Sequence, residues 1–258
     1  MNARETSTHL EPHQPAAKGW DELRSRTFLR EIDVTLPKSG TVFSIWKPDD
    51  MDRLLDDVQD DPEQNLPYWA EVWPSGVALA DEIIAEPGLL AGKSVFEIGS
   101  GIGITAIAAL RANADLTVAD YAPDALTLCR ENTRRNANRQ PGTIQCNWRA
   151  PETELAGLKP FPIVLAADVL YEARDVEPLL GLLDSLVAPD GLLWLAEPGR
   201  AAAKRFLALL VERGWIDRSQ THVGPWLDPE DAGTIVTVHR LRRATAPSQV
   251  ASESSPSS

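Results

Sequence analysis

The chain contains only two cysteines, Cys129 and Cys146, and neither belongs to a Cys-x-x-Cys pair. A disulfide scaffold is therefore excluded, and reduced thiols in a cytoplasmic compartment are expected. Its four histidines, His9, His13, His222 and His239, show no metal-ligand spacing, so no metal is expected. No apolar run approaches the ~18 residues that a spanning helix needs, so no membrane partner is expected. The N-terminus lacks the apolar core of a signal peptide and, with Glu5 and Glu11, the acid-free character of a transit peptide. Basic charge is also short: 25 Lys and Arg stand against 38 Asp and Glu, a net charge of −13. A protein that grips phosphates needs a basic field, so nucleic acid is not the expected partner. The acidic excess either keeps the protein soluble or draws in a cationic substrate.

What remains is an ordinary globular composition, 43% hydrophobic and 24% charged. With 258 residues, one domain with tails is the simplest organisation. Residues 1–25 and 244–258 read as disordered tails; the second is rich in Ser, Ala and Pro and has little to bury. Residues 26–73 form an N-terminal extension. In it, Phe28–Leu36 and Thr41–Trp46 read as strands around the Pro37-Lys38-Ser39-Gly40 turn. An acidic segment follows, from Asp49 through Asp50, Asp52, Asp56, Asp57 and Asp60 to Asp61, with the features of a solvated helix or loop.

Residues 74–243 alternate regularly. Helices are expected over Ser75–Glu86, Ile104–Asn113, Pro123–Asn138, Val176–Val187 and Ala201–Arg213. Strands are expected over Ser94–Ile98, Leu116–Ala119, Thr143–Trp148, Ile163–Ala167, Leu192–Ala196 and Ile235–Leu241, with a weaker one near Asp217–His222. This alternation predicts an α/β fold, a doubly wound and mainly parallel seven-stranded sheet covered on both faces.

The run Glu97-Ile98-Gly99-Ser100-Gly101-Ile102-Gly103-Ile104 passes from a strand through a glycine loop into a helix. Glycines there let the backbone turn sharply and come close to a ligand. The dinucleotide fingerprint places its third glycine one residue later, where this chain has Ile104, which disfavours an NAD-dependent oxidoreductase. Asp120 ends the next strand, where a carboxylate can accept hydrogen bonds from both ribose hydroxyls or can cap the following helix. Asn147 and Trp148 end the third strand. The Asn147 carbonyl can accept from an adenine amino group, and Trp148 can cover the ring or simply fill the core.

Glu-x-Gly-x-Gly-x-Gly resembles the first motif of the class I S-adenosylmethionine-dependent methyltransferases. Three more segments narrow the likeness: Tyr68-Trp69-Ala70-Glu71-Val72-Trp73-Pro74-Ser75-Gly76, Asp168-Val169-Leu170-Tyr171 and Glu197-Pro198-Gly199-Arg200. Together they resemble the seven-β-strand protein-lysine methyltransferases of family 16, particularly the electron-transfer-flavoprotein β-subunit type and its bacterial relatives. The resemblance implies S-adenosylmethionine as cofactor, held by Trp73, Glu97, Gly99, Ser100, Gly101, Gly103, Asp120, Asn147, Trp148 and Asp168. It also implies that Asp168 and Tyr171 are catalytic, facing the transferred methyl group and the entering amine. Asp168 would orient that amine and stabilise its charge rather than act as a strong base. Capping or loop-holding by Asp168 and plain packing by Tyr171 are the structural alternatives. Glu197-Pro198-Gly199-Arg200 receives no role. A monomer methylating a protein lysine is the leading function; a small-molecule amine or heterocycle as acceptor, and a non-catalytic cofactor-binding module, are the rivals.

Overall fold

The computed structural model describes residues 17–50, 54–55, 66–151 and 154–244. Seven strands form one sheet: β3 (Ser94–Ile98), β4 (Asp115–Asp120), β5 (Gly142–Gln145), β6 (Phe161–Ala167), β7 (Val187–Glu197), β8 (Trp215–His222) and β9 (Val236–Arg243). Their order is β5-β4-β3-β6-β7-β9-β8, parallel except that β9 runs antiparallel to β7 and β8. The mainly parallel, doubly wound sheet expected from the alternating pattern is present.

The continuous apolar runs of the central strands follow from burial on both faces. Ile163 and Leu165 of β6 join one core, with α2 (Pro74–Ala85), α3 (Ile104–Arg111) and α4 (Pro123–Ala137). Val164 and Ala166, one residue out of phase, join the other, with α5 (Val176–Leu186) and α6 (Ala201–Glu212). Because side chains alternate across a strand, a single sequence run feeds both cores.

The N-terminal extension forms a separate hairpin, β1 (Leu29–Thr35) with β2 (Val42–Pro48), as expected around its turn. Phe43 and Ile45 are fully buried beneath it. Two asparagines one helical turn apart on α4 bind its edge strand. Asn132 accepts from Trp46 N–H at 2.8 Å and donates to its carbonyl at 2.9 Å, and Asn136 does the same for Ser44 at 3.0 and 2.8 Å. The helix thus offers amide side chains where a neighbouring strand would offer backbone, which also covers the exposed edge of β2.

Two expectations change. The N-terminal tail does not run to residue 25, because α1 (Trp20–Arg26) is helical. Trp20 packs on Trp46 with centroids 6.1 Å apart, and Leu23 is buried. These two apolar residues, one turn apart, give a short segment enough to bury. The strand expected over Thr143–Trp148 ends at Gln145. Of the acidic segment, Asp52, Asp56, Asp57, Asp60 and Asp61 lie outside the described residues, as does the C-terminal tail from residue 245.

Candidate active site

The strand order reverses between β3 and β6, and the chain leaves these neighbours in opposite directions. A crevice must open where their carboxyl ends separate, and open α/β sheets bind ligands there. A cleft of about 650 Å³, mouth included, occupies that place. Its lining includes Tyr68, Trp69, Glu71 and Trp73 from the segment before α2, the glycine loop, Asp120 and Tyr121 at the end of β4, Trp148, and Asp168, Val169 and Tyr171 after β6.

The glycines serve packing as much as approach. Gly101 has φ +48°, and a Cβ there would stand 3.1 Å from the Trp69 carbonyl oxygen. At Gly103, with φ +94°, a Cβ would meet Cys129 Sγ at 2.9 Å. Cys129 is therefore the small residue that lets α4 lie against the loop. Asp120 fastens the loop from the other side: Gly101 N–H donates to its Oδ2 at 2.9 Å, and Ala122 N–H, at the start of α4, donates to Oδ1 at 3.1 Å. One carboxylate thus bonds the glycine loop and the residue before the helix, and also lines the cleft.

The floor is acidic and dry. Glu97 is 2% exposed and Asp120 3%. Burial pushes the Glu97 carboxyl well above its usual pKa, and the neighbouring Asp120 raises it further. Burial also raises Asp120 to about 6, against the pull of the Ala122 and Gly101 N–H groups. Among the described residues, Glu97 Oε2 and Ser100 Oγ are buried without a hydrogen-bond partner. Unsatisfied buried polar atoms are costly, so their clustering in one crevice marks a place where a ligand completes the bonding.

The walls are aromatic. Tyr68 stands edge-on to Trp73 (5.9 Å between centroids) and to Tyr171 (5.1 Å), and Tyr171 stands edge-on to Trp148 (6.3 Å). Trp73 donates to the Tyr68 carbonyl at 2.7 Å, and Trp148 to Asp175 at 3.2 Å, so two of the rings are fixed by their own N–H groups. Burial, then Asp175, lifts the Tyr171 phenol above its ordinary range. It stays protonated at neutral pH.

Asp168 sits at φ 55°, an uncommon conformation for a residue other than glycine and one often found at functional sites. Its N–H bonds the Ala196 carbonyl at 3.0 Å, which ties the end of β6 to β7. Arg200 Nε donates to its Oδ1 at 2.8 Å and Arg200 Nη2 to its Oδ2 at 3.3 Å, while Ser75 Oγ stands 3.4 Å from Oδ2. It does not cap the helix near Asp175; Glu172 and Asp175 form that cap themselves.

Of the residues singled out from sequence, Trp73, Glu97, Gly99, Ser100, Gly101, Gly103, Asp120, Trp148, Asp168 and Tyr171 converge on this cleft. Asn147 does not line it. Because β5 ends early, the chain turns back and the Asn147 side-chain oxygen accepts from Arg149 N–H at 3.0 Å. Sequence reasoning missed Tyr68 and Tyr121 as lining residues, although both flank a motif residue. It also missed Arg200, whose partner lies 32 positions away and leaves no local signal.

Comparison with known proteins accords with this geometry. A lysine methyltransferase family profile matches residues 59–213. The chain is 31% identical over 143 residues to a histone-arginine methyltransferase from Homo sapiens, covering 54% of this chain and 75% of that one. It is 30% identical over 185 residues to EEF1A lysine methyltransferase 3 from Mus musculus, covering 69% and 74%. It is 31% identical over 137 residues to the electron transfer flavoprotein beta subunit lysine methyltransferase from Danio rerio, covering 52% and 51%. The match thus spans between half and three quarters of these relatives' length. In fold, the chain is similar to a putative RNA methyltransferase from Pyrococcus horikoshii, with TM-score 0.54 and 14% identity, covering 76% of this chain and 98% of that one. A Rossmann-like sheet, a glycine loop over buried carboxylates and a profile covering most of the catalytic fold lead to one assignment: the chain belongs to the lysine methyltransferase family and is an S-adenosylmethionine-dependent methyltransferase.

Proposed function

We propose that the protein transfers a methyl group to the side-chain nitrogen of a protein lysine. The observation that carries this reading is the corner between Asp168 and Tyr171, where aromatic rings and a carboxylate line one cleft. A lysine side chain suits such a corner, with an apolar stem for the rings and a nitrogen for the oxygen. An arginine acceptor, as the name of the human relative raises, suits it less. A guanidinium is best recognised by a free carboxylate fork, and Arg200 already holds both Asp168 oxygens. A small-molecule amine remains the rival.

The residues present fit the cofactor. The unpartnered Glu97 Oε2 and Ser100 Oγ lie where a ligand bearing an ammonium and hydroxyl groups can satisfy them. In this reading Glu97 and the glycine loop hold the methionine end, Asp120 takes the ribose hydroxyls, Trp148 faces the adenine and Trp73 covers the sulfonium side. Bound there, S-adenosylmethionine supplies an already activated methyl group, so the chain mainly has to position and desolvate the reactants. Asp168 aims the acceptor nitrogen by taking a hydrogen bond from it, and Tyr171 limits its approach. Held by Glu97, the glycine loop, Asp120 and Trp148, the cofactor would supply its methyl group to a neutral nitrogen presented at Asp168, and the proton leaving the methylated nitrogen would pass to solvent.

No helix among the described residues is long and apolar enough to cross a membrane; the reading places the enzyme in the cytoplasm, acting as a monomer. Its test is labelling of a cell lysate by the enzyme and methyl-labelled cofactor, followed by mass spectrometry of the modified residue. Methyl-lysine in a protein, lost with Asp168→Ala while S-adenosylhomocysteine still binds, is the expected result. Label confined to small molecules, or found on arginine, overturns the reading.

A further inference from the structure

Glu197-Pro198-Gly199-Arg200 is the one motif segment left without a task, and a buried charged cluster lies directly behind it. Glu197, the last residue of β7, turns its carboxylate back on the chain, where Oε2 accepts Gly199 N–H at 2.5 Å and Arg200 N–H at 3.2 Å. That grip fixes where Arg200 leaves the sheet. On β9, His239 pairs in register with Leu195 of β7 and is 7% exposed. Its Nε2 stands 3.5 Å from Glu197 Oε1, and its Nδ1 lies 2.7 Å from Asp217 Oδ2 on β8. Three strands therefore contribute one acid–imidazole–acid row that ends at the loop carrying Arg200.

At the other end, Arg200 spans Asp168 with two donors, and its guanidinium carbon lies 5.9 Å from the centre of the Trp73 ring. The charged and titratable groups that act on it are Asp168, Tyr68 and Glu197, while Asp231 acts on the Asp168 side. Burial lowers the His239 pKa, but the carboxylates of Glu197 and Asp217 on either side of the ring outweigh it and the net shift is upward.

An isolated buried carboxylate at the transfer corner would hold an incoming amine as ammonium, which has no lone pair to attack with. A guanidinium clamped across that carboxylate offsets its charge and still leaves its oxygens able to accept an N–H bond. We infer that Arg200 is a positioning residue for Asp168, held from behind by Glu197, His239 and Asp217, and that it selects a neutral amine over an ammonium at the point of methyl transfer. The inference rests on the reading that an amine enters at Asp168.

The test needs no acceptor. Sinefungin is an analogue of the cofactor that carries a primary amine where the sulfonium methyl stands, so its affinity relative to S-adenosylhomocysteine reports the charge preference of that corner. Measured by calorimetry on the full chain near neutral pH, Arg200→Gln is expected to raise the preference for sinefungin about tenfold, one pKa unit of differential interaction. Arg200→Lys, which restores the charge, is expected to stay within about twofold of the wild type. Asp217→Asn, acting at the far end of the row, is expected to move the ratio the same way by about two- to threefold. An unchanged or lowered ratio in an Arg200→Gln protein that still binds S-adenosylhomocysteine overturns the inference, because a purely structural arginine would alter both affinities together. Loss of S-adenosylhomocysteine binding in a folded Arg200→Gln overturns it as well, by making Arg200 part of the cofactor site. Failure of the wild type to methylate protein lysine would sink the proposed acceptor without moving the ratio.

Discussion

Among the buried carboxylates of the described residues, two adjacent pairs have opposite fates. Asp81 and Glu82 on α2 are 0% and 4% exposed, and Glu97 and Asp120 at the sheet edge are 2% and 3%. All four are shut off from solvent, but Glu82 lies less deep than Glu97 and Asp120, and the partners differ. Asp81 accepts the N–H groups of Lys38 and Ser39 at the hairpin tip, at 2.5 and 3.0 Å. Glu82 faces His222 at 3.2 Å, Lys38 at 2.9 Å and Arg240 at 2.7 Å. These contacts, the His222 bond first, hold its pKa at about 2 despite burial. No cation of that kind reaches Glu97 or Asp120 among the described residues, and both are shifted upward. The first pair is finished by the fold and fastens the hairpin. The second is left incomplete, and that incompleteness is what an incoming cofactor can use.

The largest effect expected from this contrast is on binding. Asp120→Ala removes two charge-assisted bonds to the loop and helix start together with the acceptor proposed for the ribose, so S-adenosylhomocysteine affinity should fall about a hundredfold in calorimetry. Glu82→Ala should leave that affinity within about twofold while lowering unfolding stability by ~2 kcal/mol in urea titration, discounted for the partly exposed Lys38. A Glu82 variant that lost cofactor affinity at unchanged stability would break the comparison. Glu97→Gln should act in opposite directions on the two readouts. Cofactor affinity should drop about tenfold, while the free protein, relieved of a buried charge, should melt ~2–4 °C higher.

The smallest effects are in pH. Asp120 titrates near 6 in the folded protein, so S-adenosylhomocysteine affinity should decline several-fold between about pH 7 and pH 5, as protonation removes an acceptor. Glu82 has the reverse sign. Its folded pKa of about 2 lies below the ordinary carboxylate value of 4.5, so its stabilisation is complete above pH 4.5 and disappears as the pH falls toward 2. The stability difference between wild type and Glu82→Gln should therefore narrow across that interval. A difference independent of pH there would show that Glu82 acts through packing alone.

Local signals carried well wherever a residue's task is set by its own strand or turn. Ser94–Ile98 was legible to the residue, because a short apolar run followed by a glycine loop has few other solutions. Asp168, Tyr171 and Trp73 were legible as motif members and Trp148 from its place after the third strand, and all four line one cleft. Asn147 was misplaced because nothing local says that a strand stops at Gln145 rather than Trp148; the outer strand β5 pairs only with β4, through Asp120↔Gln145. The helix Trp20–Arg26 was hidden for the same kind of reason, since its two apolar residues gain their value only when Trp46 is brought beside them.

The sequence by itself determined the α/β alternation, the glycine loop, the two carboxylates at its edge and the corner formed by Asp168 and Tyr171, because strand period, backbone freedom and motif spacing are properties of neighbouring residues. Tertiary structure alone decided which buried acids were satisfied and which were left waiting, and that Arg200 closes on Asp168 with His239 and Asp217 behind it. The physical reason is that a charge depends on what lies within a few ångströms in space, and here those neighbours come from residues tens to more than a hundred positions apart.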